Sequence, residues 1–203
     1  NAMRKQQGQD LFVCASAGNH AQGVAFMCKH LNVRGVIFMP VTTPQQKIMK
    51  TRTFGGDWVE IRLVGDYFDD TLAAAQAYCA EEGGYFLSPF DDDDVIEGQG
   101  TIGVEITDQL GGVPDHIVLP VGGGGLSAGL RSFYGDDVTY TLVEPEGGRS
   151  LYAALQQGHP VTLPKVDSFV DGAAVACVGQ KTFARLNGIP PERVCGAPED
   201  RIC

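Results

Sequence analysis

Four consecutive glycines, Gly122–Gly125, directly follow the apolar run Ile117-Val118-Leu119-Pro120-Val121. Glycine weakens both helix and strand interiors, so this is where a buried strand must stop and the backbone must pass close to something. A second turn of the same kind, Ser16-Ala17-Gly18-Asn19-His20, follows Leu11-Phe12-Val13-Cys14. A strand that ends in such a turn and opens a helix presents free backbone N–H groups and the positive end of the helix dipole, which together attract anions. Two such turns predict a small molecule carrying two separate anionic groups.

Strand and helix patterns alternate around these turns with short connectors, the mark of an α/β chain built on parallel sheet. Val24, Met27, Cys28 and Leu31 share one helical face. Val36–Met39 is a compact strand stopped by Pro40, and a second helix runs from Thr43-Pro44 to Gly55-Gly56. The stretch 58–64 alternates like an edge strand. A helix is expected over about 70–82, a strand at Tyr85-Phe86-Leu87, and a helix with Ile102, Ile106 and Leu110 on one face. After the glycine run come a helix over about 126–133 and a strand from Val138 to Val143, ending at Glu144; helices are expected near 151–155 and 180–186. The Gly/Pro/Asp cluster from Ser88 to Asp94 is the expected crossing between two domains.

The chain has 203 residues, enough for one or two domains with real cores. Its formal charge of −10 opposes nucleic acid and anionic membrane as partners. No apolar run is long enough to span a bilayer. The six cysteines form no CxxC pair or metal-ligand spacing, and Cys14 and Cys28 lie in apolar segments. That pattern reads as reduced, buried thiols and a cytoplasmic setting. Asp91–Asp94 read as acids complementing a helix N-terminus rather than as a metal site.

The two turns bear different readings. No Gly-Lys-Ser/Thr follows the glycine run, which excludes a Walker-type loop. Gly123-x-Gly125-x-x-Ala128 does fit a dinucleotide fingerprint, with Glu144 placed as the ribose-binding acid, and alone would point to an NAD-dependent oxidoreductase. Ser16 can instead cap a helix, Asn19 can serve a turn, and His20 can be a packed polar residue. Yet a dinucleotide needs no second turn of the Ser16–Gly23 kind. A phosphate-bearing cofactor holding a carboxylate substrate needs one cradle for each anion.

The stretches SAGNHAQGVA, PFDDDDVIEGQGTIGVEI, PVGGGGL and FVDGAAVACVG, in order along residues 11–203, resemble the pyridoxal-phosphate-dependent serine/threonine dehydratases. The biosynthetic threonine dehydratases are closest in look, with serine racemases and serine dehydratases as cousins. Phe54-Gly55-Gly56 through Gly65-Asp66, with Phe68-Asp69-Asp70, is similar to the threonine-specific enzymes. The resemblance implies a fold-type-II α/β enzyme with flanking helices, a small domain over 11–90, and a partial large domain made of 1–10 and 91–203. It implies that Gly122, Gly123, Gly124, Gly125 and Leu126 hold the phosphate of pyridoxal 5'-phosphate. Asn19 would bond the ring hydroxyl, and Gly172 of Asp171-Gly172 would border the ring. Ser16, Ala17, Gly18, Asn19 and His20 would hold the substrate carboxylate. The implied reaction takes L-threonine to 2-oxobutanoate and ammonia, the first step of isoleucine biosynthesis, in a homo-oligomer. Glu144, Gly148 and Ser150 sit where related racemases place a divalent cation, but two of the three lack a carboxylate, so no metal is expected.

One departure matters. The family's Schiff-base lysine lies upstream of the first turn in a Ser-x-Lys-x-Arg-Gly setting, whereas here Lys5 stands in Arg4-Lys5-Gln6-Gln7. Lys29, Lys47, Lys50, Lys165 and Lys181 read as solvated surface residues. No catalytic residue is assigned. The expectation is a dehydratase truncated at both ends and inactive as written, with apolar surface near Ile117–Val121 left open and self-association as the result. A non-catalytic binding or regulatory module that lacks the Schiff-base lysine is the other reading.

Overall fold

The computed structural model describes residues 2–66, 68–167, 169–170 and 172–202. They form two compact units, 1–89 and 90–203.

In the first unit, strands β1 (Leu11–Ala15), β2 (Arg34–Met39), β3 (Val59–Leu63) and β4 (Tyr85–Phe86) make one parallel sheet in the order β3-β2-β1-β4. β1 and β2 lie inside the sheet and are covered on both faces, which is why they are near-continuous apolar runs. Val13, Ala15, Val36 and Phe38 pack on Ala75 and Cys79 of helix α4 (Phe68–Glu82). The opposite face meets α2 (Asn19–Leu31), where a Cβ at Gly35 would lie 2.6 Å from the Cys28 sulfur. Helix α3 (Gln45–Gly55) packs beside α2, and Ile48, Thr51 and Gly55 are its buried residues. β3 sits at the sheet's edge and is only partly buried, matching its alternating sequence. Residues 1–10, expected with the second domain, fall in this first unit: α1 (Ala2–Lys5) buries Ala2 and Met3.

The second unit carries the parallel sheet β5 (His116–Pro120), β6 (Thr139–Pro145) and β7 (Val194–Ala197), in that order. Around it lie α5 (Asp93–Leu110), α6 (Gly125–Tyr134), α7 (Ser150–Gln157) and α8 (Gln180–Leu186). Leu119, Leu130, Leu142, Leu151, Phe183 and Leu186 belong to one core.

Three expectations change here. β5 is not a fully buried strand: it is an edge strand whose Ile117 and Leu119 point inward while Val118 is 64% exposed. Of the stretch Ile117–Val121, expected to leave apolar surface open, Val118 and Pro120 are exposed, whereas Ile117, Leu119 and Val121 are buried. α5 does not bury Leu110, which is 65% exposed; its buried residues are Ile96, Gly100 and Gly103. β7 has no counterpart in the sequence reading, because Val194-Cys195-Gly196-Ala197 is short and only Val194 is buried.

Candidate functional site

The first cradle begins where β1 ends. β1 has β2 on one side and β4 on the other, so the chain winds outward through β2 and β3 and then returns across β1. Loops at the carboxyl end of a strand where the winding reverses are where open α/β sheets bind ligands. Ser16–Gly18 is that loop. The Ser16 amide donates to the Phe38 carbonyl at 3.0 Å, anchoring the loop to the sheet. The Ser16 hydroxyl accepts from the Gly18 amide at 3.2 Å, closing a turn rather than capping α2. Gly18 is the N-cap of α2 and supplies no side chain to the first-turn amides of the helix. Asn19 is exposed at the head of the helix. The His20 Nε2 lies 3.1 Å from the Leu87 carbonyl, tying α2 to the end of β4.

The second cradle follows β5. Gly124, at φ +88°, is the N-cap of α6, again with no side-chain cap. The remaining glycines are needed for close approach. A Cβ at Gly123 would fall 2.3 Å from the Phe90 ring, and one at Gly125 would lie 3.0 Å from the Phe90 Cβ. A Cβ at Gly122 would meet the Gly172 carbonyl oxygen at 3.2 Å, so the structure does bring Gly172 to the glycine run. Asp171 lies outside the described residues. Leu126 packs against the core behind the loop. Ser127, in the first turn of α6, has a buried hydroxyl without a protein partner.

Other helices of the second unit are closed by carboxylates. Asp92 accepts from the amides of Asp94 and Val95 at 2.9 and 3.1 Å at the head of α5. Asp91 takes the amides of Gln180, Lys181 and Thr182 at the head of α8. Glu144, only 1% exposed, takes those of Leu151 and Tyr152 at 2.7 and 3.0 Å at the head of α7. Burial pushes the Glu144 carboxyl above its ordinary value, against those two hydrogen bonds and the neighbouring Arg149, which pull it down. The N-caps of α2 and α6, which follow the two glycine turns, are themselves glycines and supply no side chain, and Pro44 supplies none to α3.

This geometry removes the dinucleotide reading: Glu144, needed as the ribose acid, is buried with both oxygens committed to α7. It also resolves the Asp91–Asp94 cluster, in which Asp92 serves its own helix while Asp91 and Asp93 serve α8. Asp93 pairs with Lys181 and Arg185, each at 2.7 Å. Among the described residues no group of three or more His, Cys, Asp or Glu gathers as a metal site. Lys5, Lys29, Lys50 and Lys165 are exposed. The open grooves between α2 and α3, lined by Gln22, Phe26, Lys29, Met49 and Phe54 among others, touch the Ser16–Gly23 turn at Gln22 and include no residue of the Gly122–Gly125 run.

Sequence reasoning missed Phe90, Asp91, Ser127 and Thr182 as parts of the second cradle. Phe90 and Asp91 lie inside a stretch that carries the family resemblance. Thr182 is 91 positions from Asp91, and no local pattern links the two.

Residues 1–200 match the family described as pyridoxal-phosphate dependent enzyme. The chain belongs to this family. Within the pyridoxal-phosphate-dependent enzymes it is similar to the biosynthetic L-threonine dehydratase IlvA of Bacillus subtilis, 44% identical over 204 residues, covering 99% of this chain and 48% of that protein. Against the Lactococcus lactis enzyme of the same name, identity is 49% over 181 residues, covering 86% of this chain and 44% of that protein. The chain thus spans about half the length of these curated relatives. A solved structure of processed threonine deaminase isoform 2 from Solanum lycopersicum superposes with a TM-score of 0.82 at 42% identity, over 92% of this chain and 55% of that one. The α/β architecture of parallel sheets with flanking helices is the fold-type-II one of this family. No helix among the described residues is long and apolar enough to cross a membrane.

Proposed function

We propose that this chain is the cofactor- and substrate-holding part of a threonine dehydratase, which converts L-threonine to 2-oxobutanoate and ammonia as the first step of isoleucine biosynthesis. The observation that carries this reading is the pair of helices, α2 and α6, that open from glycine turns with a glycine as N-cap, so that no N-cap side chain covers their first amides. The neighbouring α5, α7 and α8 are each closed by a carboxylate. Open helix amides and a positive dipole end call for an anion from outside the chain.

The residues present fit the phosphate of pyridoxal 5'-phosphate. At Gly123, where the Phe90 ring leaves no room for a side chain, only bare backbone can line the cradle, and the orphaned Ser127 hydroxyl lies in the helical turn behind it. Gly122–Gly125 with Leu126 would hold that phosphate, and Gly172 would border the ring. Asn19 would bond the ring hydroxyl. Ser16, Ala17, Gly18, Asn19 and His20 would take the carboxylate of the amino acid, His20 through its backbone, since its ring faces the Leu87 carbonyl. Bound pyridoxal phosphate supplies an electron-withdrawing ring that acidifies the α-carbon of an attached amino acid and so lets a β-hydroxyl leave. This chain's residues anchor and orient. No Schiff-base lysine is assigned among its six lysines, so binding rather than turnover is the property they support.

Equilibrium dialysis tests the binding half: pyridoxal phosphate is retained, pyridoxal is held more weakly, and inorganic phosphate competes. Equal retention of both vitamers overturns the phosphate assignment. The reaction is tested by replacing the corresponding stretch of the Bacillus subtilis relative with this chain. A chimera that keeps its cofactor yet releases no 2-oxobutanoate from L-threonine overturns it. We also infer a cytoplasmic homo-oligomer. The buried, unpaired Cys14 and Cys28 support the setting, and the exposed Val118 on edge strand β5 supports association. Sedimentation that stays monomeric at high concentration would count against the second.

A further inference from the structure

We infer that Thr182 is a positioning residue for the glycine cradle, held in place by Asp91. The inference rests on the reading that Gly122–Gly125 takes the cofactor phosphate. The Thr182 side chain is fully buried, and its hydroxyl donates to the Gly123 carbonyl at 2.8 Å; the Gly179 carbonyl, at 3.1 Å, is the alternative acceptor. The Gly123 carbonyl and the Gly124 amide belong to one trans peptide plane and point in opposite directions. Drawing the carbonyl inward onto Thr182 therefore turns the Gly124 N–H outward, away from α8. Among the described residues no protein group accepts from the amides of Gly122, Gly123 or Gly124.

Gly124 makes this orientation possible. Its φ of +88° is open to glycine, and a Cβ there would lie 3.2 Å from both the Thr182 Cβ and hydroxyl oxygen. The threonine itself is fixed from a distance in sequence. Oδ1 of Asp91 accepts from Lys181 at 2.7 Å and from Thr182 at 3.2 Å, while Oδ2 accepts from Gln180 at 3.1 Å. One carboxylate thus satisfies three first-turn amides of α8 and locks the turn that carries Thr182. The neighbouring Phe90 lies against Gly123 and Gly125. Residues 90 and 91 thus hold the loop from two sides, one by packing and one through α8.

The test compares Thr182→Val, Thr182→Ala and Thr182→Ser in the full 203-residue chain. Retention of pyridoxal phosphate and of pyridoxal is measured by dialysis, and the Gly124 amide is followed by NMR on titration with each. In wild type, the Gly124 amide moves with pyridoxal phosphate but not with pyridoxal. Thr182→Val and Thr182→Ala weaken pyridoxal phosphate about three- to tenfold, the size of one neutral hydrogen bond, and leave pyridoxal unchanged. Thr182→Ser, which keeps the hydroxyl, restores phosphate-dependent retention. Folded Val and Ala variants that bind pyridoxal phosphate like wild type overturn the inference while leaving the phosphate cradle standing. If neither folds, the serine variant decides: loss of its phosphate dependence overturns the inference, and retention supports it. A wild-type chain that does not distinguish the two vitamers overturns the cradle reading itself, a separate result.

Discussion

Gly100 and Gly129 bring the backbones of α5 and α6 into direct contact. A Cβ at Gly129 would lie 2.7 Å from both the Gly100 nitrogen and the Ile96 carbonyl oxygen, neither of which can swing aside as a side-chain tip does. A Cβ at Gly100 would meet the Gly129 carbonyl oxygen at 3.1 Å, a tight but smaller conflict. Gly129→Ala should therefore destabilise the second unit by about 1–3 kcal/mol through overpacking, with Gly100→Ala costing less. Urea unfolding midpoints check this, and the order of the two variants is the sensitive part. A Gly129→Ala chain as stable as wild type would refute the close crossing.

Glu144 gives a pH signature. Burial raises its carboxyl above the ordinary value of 4.5, so its proton is held more tightly in the folded chain than in the unfolded one. The stability this contributes is complete below about pH 4.5 and is lost as pH rises through the folded value. The stability difference between wild type and Glu144→Gln should accordingly shrink as pH rises above 4.5. Glu144→Ala should cost about 1–3 kcal/mol near pH 4.5, because it leaves the amides of Leu151 and Tyr152 unpaired in a buried place, and less as pH rises. Unfolding free energies at a series of pH values test both. A wild-type advantage over Gln that grows with pH would reverse the sign assigned here.

Much of the fold was legible because its strands are apolar and its turns are glycine or proline. Leu11–Ala15 and Val36–Met39 are buried almost throughout, and Gln180–Leu186 is helical as its pattern predicts. The sequence misleads where contact comes from residues without hydrophobic weight. α5 buries Gly100 and Gly103 rather than Leu110, and hydrophobic periodicity is blind to a contact made by backbone. It also misleads at Val118, whose apolar side chain lies on the exposed face of an edge strand. In the candidate site, both glycine turns were visible from local pattern. Their supports were not: Asp91 reads as a dipole acid of the helix that follows it, and only the tertiary fold sends it to α8.

The thiols should separate into two reactivity classes. Burial lifts the Cys28 thiol to about 12 and the Cys14 thiol further, where the neighbouring Cys28 adds to the effect. The thiolate is the reactive form, so neither should alkylate in the native chain. Cys195 is exposed and Cys177 half-buried, and both should label without unfolding. Peptide mapping after brief iodoacetamide treatment at pH 8, with and without denaturant, reads each site separately. Native labelling of Cys14 at the rate of Cys195 would contradict the buried, inert assignment.

Phe90 and Gly123 should behave as one unit. A side chain at Gly123 would overlap the ring, with the Phe90 Cγ and Cδ1 both 2.3 Å from the new Cβ. Gly123→Ala must therefore displace either the ring or the loop, lowering stability and pyridoxal phosphate retention together. Phe90→Ala removes the obstacle at the expense of packing. In the double variant the alanine at 123 should cost at least about 1 kcal/mol less than it does alone, a coupling expected only of residues in contact. Retention should recover only in part, because the loop then lacks the ring that braces it. A double-mutant cycle on thermal or urea unfolding measures the coupling directly. Strictly additive effects would mean that Phe90 does not limit the space at Gly123, and the requirement for glycine there would need another cause.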